Sequence, residues 1–83
     1  MEKWFTYIIE CSDKTFYVGT TNDIEKRMAK HNAGKGAKYT RGRGPVEIRY
    51  TRCFESKSEA CKYEYQLKQY TRIEKLAIIQ NVQ

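Results

Sequence analysis

The chain begins with two runs of aromatic, β-branched and apolar residues that are separated by a short polar turn. The runs cover residues 4–11 and 16–20, and the turn between them reads Ser-Asp-Lys-Thr. Such a composition favours strands, and a polar turn between two strands predicts a hairpin. Because side chains alternate along a strand, Tyr7 shares a face with Ile9, and Tyr17 shares a face with Gly19.

The predicted hairpin has a surface that carries both tyrosines. If the register brings the two faces together, Tyr7 and Tyr17 point to one side of the sheet, with Gly19 beside them. We interpret Gly19 as leaving room for a ligand to approach the backbone. The alternative is that the two tyrosines only pack the sheet as a cross-strand aromatic pair.

A helix and a third strand are predicted next. Asn22, with Glu25 three positions later, has the form of a capping box, and Gly34 is typical of the residue after a helix, so the helix runs to about Ala33. Residues 46–54 then alternate between apolar and polar side chains. They predict a strand with one buried face, formed by Val46, Ile48, Tyr50 and Phe54, with Arg52 as the exception on that side.

Two more helices close the chain. Capping boxes start at Ser56 and at Thr71, each with a glutamate three positions later. The first of these helices has an apolar stripe made of Ala60, Tyr63, Leu67 and Tyr70, and the second is apolar at Ile73, Leu76, Ala77 and Ile79. We therefore predict an α+β fold, a three-stranded antiparallel sheet with flanking helices in the order β-β-α-β-α-α, in one domain over residues 1–83.

Cysteine usage and hydropathy limit the class of protein. The three cysteines, Cys11, Cys53 and Cys61, form no CxxC pair and leave one over in any disulfide scheme. They favour a reducing compartment over a disulfide framework or a zinc site. There is no apolar run of membrane-spanning length and no apolar leader, so we expect a soluble, cytoplasmic protein with no membrane partner.

The positive charge is concentrated in the middle of the chain. The net charge is +6, but residues 26–52 contain nine Lys or Arg against one acidic residue, a local balance of +8. The rest of the chain is therefore slightly acidic. A segregated basic patch predicts a polyanionic partner, and nucleic acid is the leading candidate.

The segment 34–45 carries four glycines and a proline, which predict a long connection without regular structure. Its polar side chains suit nucleic acid. Lys35, Lys38, Arg41 and Arg43 could grip phosphates, with Thr40 among them, while Tyr39 could stack on a base. The alternative is a flexible linker.

Three polar residues on the predicted helices are candidates for chemistry. Arg27 and His31 lie one turn apart beside the apolar stripe of the first helix, although each could be only a solvated or dipole-stabilising side chain. Glu64 falls within the apolar stripe of the second helix, where a carboxylate is costly unless a cation or hydrogen bonds meet it. The alternative for Glu64 is a structural ion pair with Arg27 or Arg52.

Together these residues resemble the GIY-YIG nuclease superfamily over essentially the whole chain. The two motif triplets stand as Phe5-Thr6-Tyr7 and Tyr17-Val18-Gly19, and the run from Lys30-His31-Asn32 to Arg43-Gly44-Pro45 is similar to small stand-alone bacterial members and to the eukaryotic subunit that cuts branched DNA. A more distant similarity is to the first catalytic domain of the UvrC repair nuclease. The sequence departs from the family at Phe5-Thr6, where Gly-Ile is expected.

The resemblance implies a metal-dependent endonuclease that hydrolyses phosphodiester bonds, most simply in DNA during repair or recombination. It implies that Glu64 is the only protein ligand of Mg²⁺ or Mn²⁺, that Arg27 neutralises the phosphate and that His31 assists a tyrosine. We expect Tyr7 to accept the proton of the attacking water, with Tyr17 orienting it and nearby positive charge lowering the pKa of the phenol.

Two other functions remain open at this point. The first is a catalytically silent module that binds nucleic acid through the same scaffold. The second is a subunit that becomes active only with a protein partner that supplies target specificity.

Overall fold

The computed structural model describes residues 3–36 and 40–81, which form three strands and three helices. The strands are β1 (Trp4–Glu10), β2 (Phe16–Thr21) and β3 (Glu47–Phe54), and the helices are α1 (Ile24–Asn32), α2 (Lys57–Lys68) and α3 (Arg72–Asn81). The predicted α+β class and the order β-β-α-β-α-α are confirmed. None of these three helices has the length and apolar character needed to cross a membrane.

The sheet is antiparallel, and β1 lies in its middle in the order β2-β1-β3. In the hairpin, Tyr7 lies opposite Gly19 and Ile9 lies opposite Tyr17. Opposed residues of an antiparallel pair point to the same face. The predicted hairpin, with both tyrosines on one face, is therefore confirmed, and β2 is an edge strand.

Different helices cover the two faces of the sheet. On one face, Tyr7, Ile9, Cys11 and Val46 form a buried cluster, and Tyr17 of β2 and Ile24 and Met28 of α1 pack against it. On the other face, Ile8, Val18, Tyr50 and Leu67 form a second cluster that is covered by α2 and α3. The hydroxyl of Thr6 donates a 2.7 Å hydrogen bond to the carbonyl of Ala60, which fixes α2 on this second face. The sheet thus separates α1 from α2.

The predicted single buried face of β3 is wrong. Ile8 lies opposite Tyr50, whereas the next residue, Ile9, lies opposite Ile48, so Arg49 is an extra residue in a β-bulge. A bulge shifts the alternation by one position, and Ile48 and Tyr50 therefore point to opposite faces. The bulged Arg49 forms an ion pair with Glu10, at 2.6 Å from Nη2 to Oε1.

The helices begin largely where their caps are predicted. Ser56 accepts a hydrogen bond from the amide of Glu59, and Thr71 and Glu74 bond each other's backbone amides in a complete capping box. The start of α1 needs a correction, because the capping side chain is Asp23, which accepts from the amide of Lys26, and not Asn22.

Gly19 makes room for a side chain of the protein, not for a ligand as expected. A methyl group at this position would lie 2.6 Å from Cζ of Tyr7 and closer still to its hydroxyl oxygen. The space above Gly19 is therefore filled by the phenol of Tyr7 and does not admit a ligand. Glycine at this position leaves room on β2 for the phenol ring of Tyr7.

This contact predicts the effect of adding one methyl group. We expect Gly19→Ala to lower the free energy of unfolding by about 1–3 kcal/mol, because Tyr7 is fully buried and cannot move aside freely. Urea denaturation followed by circular dichroism measures the change.

Gly44→Ala is the matched control. A methyl group at Gly44 meets only Oδ1 of Asn32, at 4.0 Å, so we expect a change below about 0.5 kcal/mol. A Gly19→Ala protein as stable as the wild type would show that the ring of Tyr7 does not occupy this space.

Candidate active site

The hydroxyl of Tyr7 is the meeting point of strand β1 and helix α1. Its oxygen lies 3.1 Å from Nε2 of His31 and accepts a 3.3 Å hydrogen bond from Nε of Arg27. Arg27 and His31 are four residues apart and project from one side of α1, as expected for one helical turn. The side chain of Tyr7 has no exposed surface, so these two contacts satisfy its only polar group.

His31 is held from the other side by the loop that follows α1. Its Nδ1 forms a 2.8 Å hydrogen bond with the hydroxyl of Thr40, and both residues are 1% exposed. A methyl group at Gly36 would lie 2.9 Å from Cγ of His31, so the loop backbone packs closely on the imidazole. We predicted that Thr40 contacts nucleic acid, and this is corrected, because its buried hydroxyl orients His31.

Tyr17 completes the cluster at the edge of the sheet. Its ring centroid lies 5.7 Å from that of His31 in an edge-on arrangement, and it contributes to the raised pKa of Arg27, after the larger effect of Tyr7. Unlike Tyr7, it is only half-buried. The structure thus brings Tyr7, Tyr17, Arg27 and His31 into direct contact, and of the two phenols only that of Tyr17 is exposed at the surface.

Burial controls the ionisation of this cluster. It raises the pKa of the Tyr7 phenol above the ordinary value of 10.0, and the hydrogen bond from Arg27 offsets this only in part. Arg27 does lower the pKa of Tyr7 as expected, but burial outweighs it, so the net shift is upward and not downward. Burial and then the charge of Arg27 lower the pKa of His31 from 6.5, so the imidazole is neutral at pH 7.

Glu64 approaches from the opposite face of the sheet. Its Oε1 accepts a 2.5 Å hydrogen bond from Thr20 of β2, and its Oε2 lies 2.8 Å from Nζ of Lys68. The sequence left open an ion pair of Glu64 with Arg27 or Arg52. Instead, Arg27 bonds to Tyr7, and Arg52 lies over the rings of Phe54 and Tyr63. Glu64 therefore lies on one side of the edge strand β2 and Arg27 on the other.

The side chains on the two sides of β2 nevertheless interact electrostatically. Glu64 contributes to the raised pKa of Tyr7, and Tyr17 contributes to the raised pKa of Lys68, whose largest cause is the hydrogen bond to Glu64. Since β2 is an edge strand, no further strand separates Arg27 from Glu64. The cluster and the carboxylate thus flank one strand of the sheet.

Sequence reasoning missed Thr20 and Lys68. Lys68 lies four residues after Glu64, a spacing that predicts an ion pair on a helix, so this pair could have been found. The position of Thr20 depends on how α2 docks on β2, which no local pattern gives. Within residues 3–36 and 40–81, no group of three or more His, Cys, Asp or Glu side chains could hold a metal.

The loop residues fall into two groups. Lys35 and Arg41 are exposed, whereas Arg43 forms an ion pair with Asp13 of the hairpin turn. The backbone carbonyl of Arg43 also accepts a 2.7 Å hydrogen bond from the amide of Ser12, so this part of the loop is tied to the sheet. Lys38 and Tyr39, which we predicted to bind nucleic acid, lie outside the described residues.

Comparison with known proteins gives a consistent set of relatives. A family model for the GIY-YIG catalytic domain matches residues 3–77. A UPF0213 protein from Halobacterium salinarum is 58% identical over 72 residues, which are 87% of this chain and 94% of that protein. One from Oceanobacillus iheyensis is 51% identical over 79 residues, covering 95% of this chain and 92% of its own.

Two solved structures are also similar. A solution NMR structure of a UPF0213 protein from Bacillus halodurans has a TM-score of 0.63 and 44% identity, and the match covers 96% of this chain and 85% of the other. A solution NMR structure of a protein from E. faecalis has a TM-score of 0.65 and 40% identity, with 98% and 90% covered.

The buried imidazole predicts a pH effect on stability. The unfolded chain binds a proton at His31 near pH 6.5, while the folded protein binds it only at lower pH. The contribution of His31 is therefore present above about pH 6.5 and is lost as the pH falls below that value. We expect His31→Gln to show a smaller loss of stability between pH 7 and pH 5 than the wild type.

NMR titration supplies the direct test, because His31 is the only histidine in the chain. The imidazole midpoint should lie below 6.5 and should rise in Arg27→Gln, which removes the neighbouring charge. Lys30→Gln, which removes an exposed charge from the same helix, should move the midpoint less. A wild-type midpoint above 6.5 would contradict the buried neutral imidazole.

Proposed function

The chain belongs to the GIY-YIG family, and we propose that it is a metal-dependent endonuclease that hydrolyses phosphodiester bonds in DNA. The observation that carries the proposal is the contact of two phenols, a guanidinium and a neutral imidazole beside the edge strand β2. Hydrolysis of a phosphodiester needs an activated water, charge relief on the phosphate and stabilisation of the leaving oxygen. Side chains suited to these tasks flank β2.

Tyr17 is the better candidate for the proton acceptor. Tyr7 is sealed from solvent, and burial raises the pKa of its phenol, so both access and ionisation oppose the role that we first gave it. Tyr17 is half-buried and interacts electrostatically with Arg27, whose positive charge would favour a phenolate beside it. In this mechanism, the phenolate form of Tyr17 takes the proton of the attacking water and becomes a neutral phenol.

Tyr7 and His31 then act as positioning residues. If His31 donates its Nδ1 proton to Thr40, its Nε2 accepts the hydroxyl proton of Tyr7. The oxygen of Tyr7 is left to accept from Arg27, so the chain of hydrogen bonds fixes the guanidinium. Arg27 neutralises the phosphate, for which a guanidinium offers several parallel donors.

The donor set around Glu64 fits a hard divalent cation. Each carboxylate oxygen has one partner, Thr20 or Lys68, and a carboxylate has lone pairs for more. Mg²⁺ and Mn²⁺ accept a sparse protein shell that is completed by water and phosphate oxygens, whereas zinc prefers nitrogen and sulfur ligands. The ion would relieve charge on the phosphate and on the leaving oxygen. Lys68 already balances the charge of Glu64 without it.

The basic loop would hold the nucleic acid on this surface. Lys35 and Arg41 are exposed and suited to phosphates, and we propose the same role for Lys38, Arg43 and Tyr39. We propose DNA as the substrate, repair or recombination as the setting and the cytoplasm as the compartment. A protein partner could supply target choice.

A subunit that needs a partner for activity is the second candidate. Two observations favour it over an enzyme that is active alone: Tyr7 is sealed, and Glu64 already has Lys68 as its counter-ion. Tyr7 would have to become exposed if it were the base. Lys68 would have to move away from Glu64 if it blocked the ion. Such an enzyme would bind DNA alone but cut only in the complex.

Substitution of the tyrosines tests the mechanism. Single-stranded, duplex, flap and branched DNAs are incubated with Mg²⁺ or Mn²⁺, and cleavage and binding are measured separately. We expect Tyr17→Phe and Glu64→Gln to slow cleavage by at least about 100-fold with little change in binding. Tyr7→Phe should slow it less, since it only loosens Arg27 and His31.

Tyr65→Phe and Glu55→Gln are the matched controls, because Tyr65 is 70% exposed on α2 and Glu55 is exposed. Both should cleave like the wild type. Full activity in Tyr17→Phe together with inactivity in Tyr7→Phe would return the base to Tyr7. Activity unchanged in Glu64→Gln would remove the proposed metal ligand.

The loop predicts binding that depends on salt but not on sequence. Arg41→Ala should weaken binding to all DNA sequences alike and should reduce the slope of log Kd against log salt concentration by about 0.7–0.9. Fluorescence anisotropy at several salt concentrations measures both. Lys62→Ala, an equal change of charge on the exposed side of α2, should leave the slope nearly unchanged. A loss confined to one sequence would contradict a phosphate contact.

A further inference from the structure

A concavity of about 310 Å³ adjoins the candidate active site. Arg27, which bonds to Tyr7, lines it from α1, and Thr20, which bonds to Glu64, lines it from β2. Its volume falls within the range of about 300–1,000 Å³ that is usual for small-ligand pockets. A nucleic acid whose phosphate contacts Arg27 would therefore also reach this concavity.

The wall formed by α1 is suited to further phosphate groups. Lys26 and Lys30 line the concavity one helical turn apart, with Arg27 next to Lys26. Asp23 is the acidic residue of the lining, and its Oδ1 is engaged with the amide of Lys26 as the helix cap. Three cations against one carboxylate make this wall attractive to a polyanion.

The lining also includes Trp4. Trp4 lines the concavity from the start of β1 and is only half-buried, although it is the largest apolar side chain in the protein. Nζ of Lys57 lies 5.2 Å from the centre of its ring, so the indole also makes a cation–π contact. An aromatic ring beside phosphate-binding cations is the usual composition of a surface that stacks nucleic-acid bases.

We propose that Trp4, Lys26 and Lys30 form a subsite for one unpaired nucleotide next to the scissile phosphate. The base stacks on Trp4, and its phosphate contacts the two lysines. A base within a continuous duplex is already covered on both faces by its neighbours, so only an unpaired base can reach the indole. The proposal rests on the nuclease function above and adds the substrate class, namely DNA with a single-stranded or branched segment at the cut.

The single tryptophan of the chain makes the subsite directly observable. Unlabelled oligo(dT) is titrated against the protein and indole fluorescence is recorded, while anisotropy of dye-labelled DNA reports binding at any site. We expect oligo(dT) to quench the fluorescence and a blunt duplex of equal length to leave it nearly unchanged. Trp4→Leu should weaken binding of oligo(dT) by about 5- to 150-fold, the value of one stacked base, and should weaken duplex binding much less.

Two variants serve as controls. Tyr65→Leu removes an exposed aromatic ring of α2 that does not line the concavity, and it should bind oligo(dT) like the wild type. Trp4→Phe keeps a smaller aromatic face and should recover part of the affinity. Circular dichroism shows whether each variant is folded, and the fluorescence of the wild type decides the question if Trp4→Leu is not.

The possible results separate this inference from the proposed function. DNA that binds by anisotropy without changing the indole fluorescence would overturn the subsite and leave the nuclease function standing. Equal weakening of single-stranded and duplex binding in Trp4→Leu would also overturn it. If neither DNA binds in anisotropy, the proposed function fails, and the subsite fails with it.

Discussion

The hydroxyl of Tyr7 is the interaction on which the rest of the site depends. It joins the buried His31 to the partly exposed Arg27, and Thr40 extends the same chain of hydrogen bonds to the loop. A buried polar chain of this kind is stable only if every member has a partner, because an unpaired group keeps its full desolvation cost. One arrangement of α1 and of the loop satisfies all four side chains, so the chain of hydrogen bonds fixes both elements against the sheet.

The edge position of β2 explains how two helices on opposite faces can serve one site. α1 brings Arg27 to one side of the strand, and α2 brings Glu64 to the other. In a central strand such side chains would be separated by the neighbouring strands. The helix starts are set by caps at Asp23 and Ser56, which fix where each charged residue falls around its helix. The edge strand is thereby flanked by charged side chains, and these also limit its pairing with other chains.

Much of this arrangement could be predicted from local patterns, and the failures have a common cause. Alternation in the hairpin gave the shared face of Tyr7 and Tyr17, because the register there is regular. Alternation failed in β3, because the bulge at Arg49 leaves no signal in a pattern of apolar positions. The role of Thr40 and the raised pKa of Tyr7 were missed for the same reason. Both depend on how deeply the loop and α1 bury the cluster, a property of packing that no short motif carries.

The site contains a rigid part and an exchangeable part, and the division follows from burial. The contacts of Tyr7 with His31 are sealed, and breaking them would expose unpaired polar groups, so they persist when a ligand arrives. The pair of Glu64 with Lys68 differs, because the lysine side chain is 48% exposed and such pairs contribute at most about 1 kcal/mol. A metal cation at Glu64 would therefore displace Lys68 at little cost. In the proposed mechanism, metal binding would thus change the contacts of Glu64, while the guanidinium of Arg27 would keep its hydrogen bond to Tyr7.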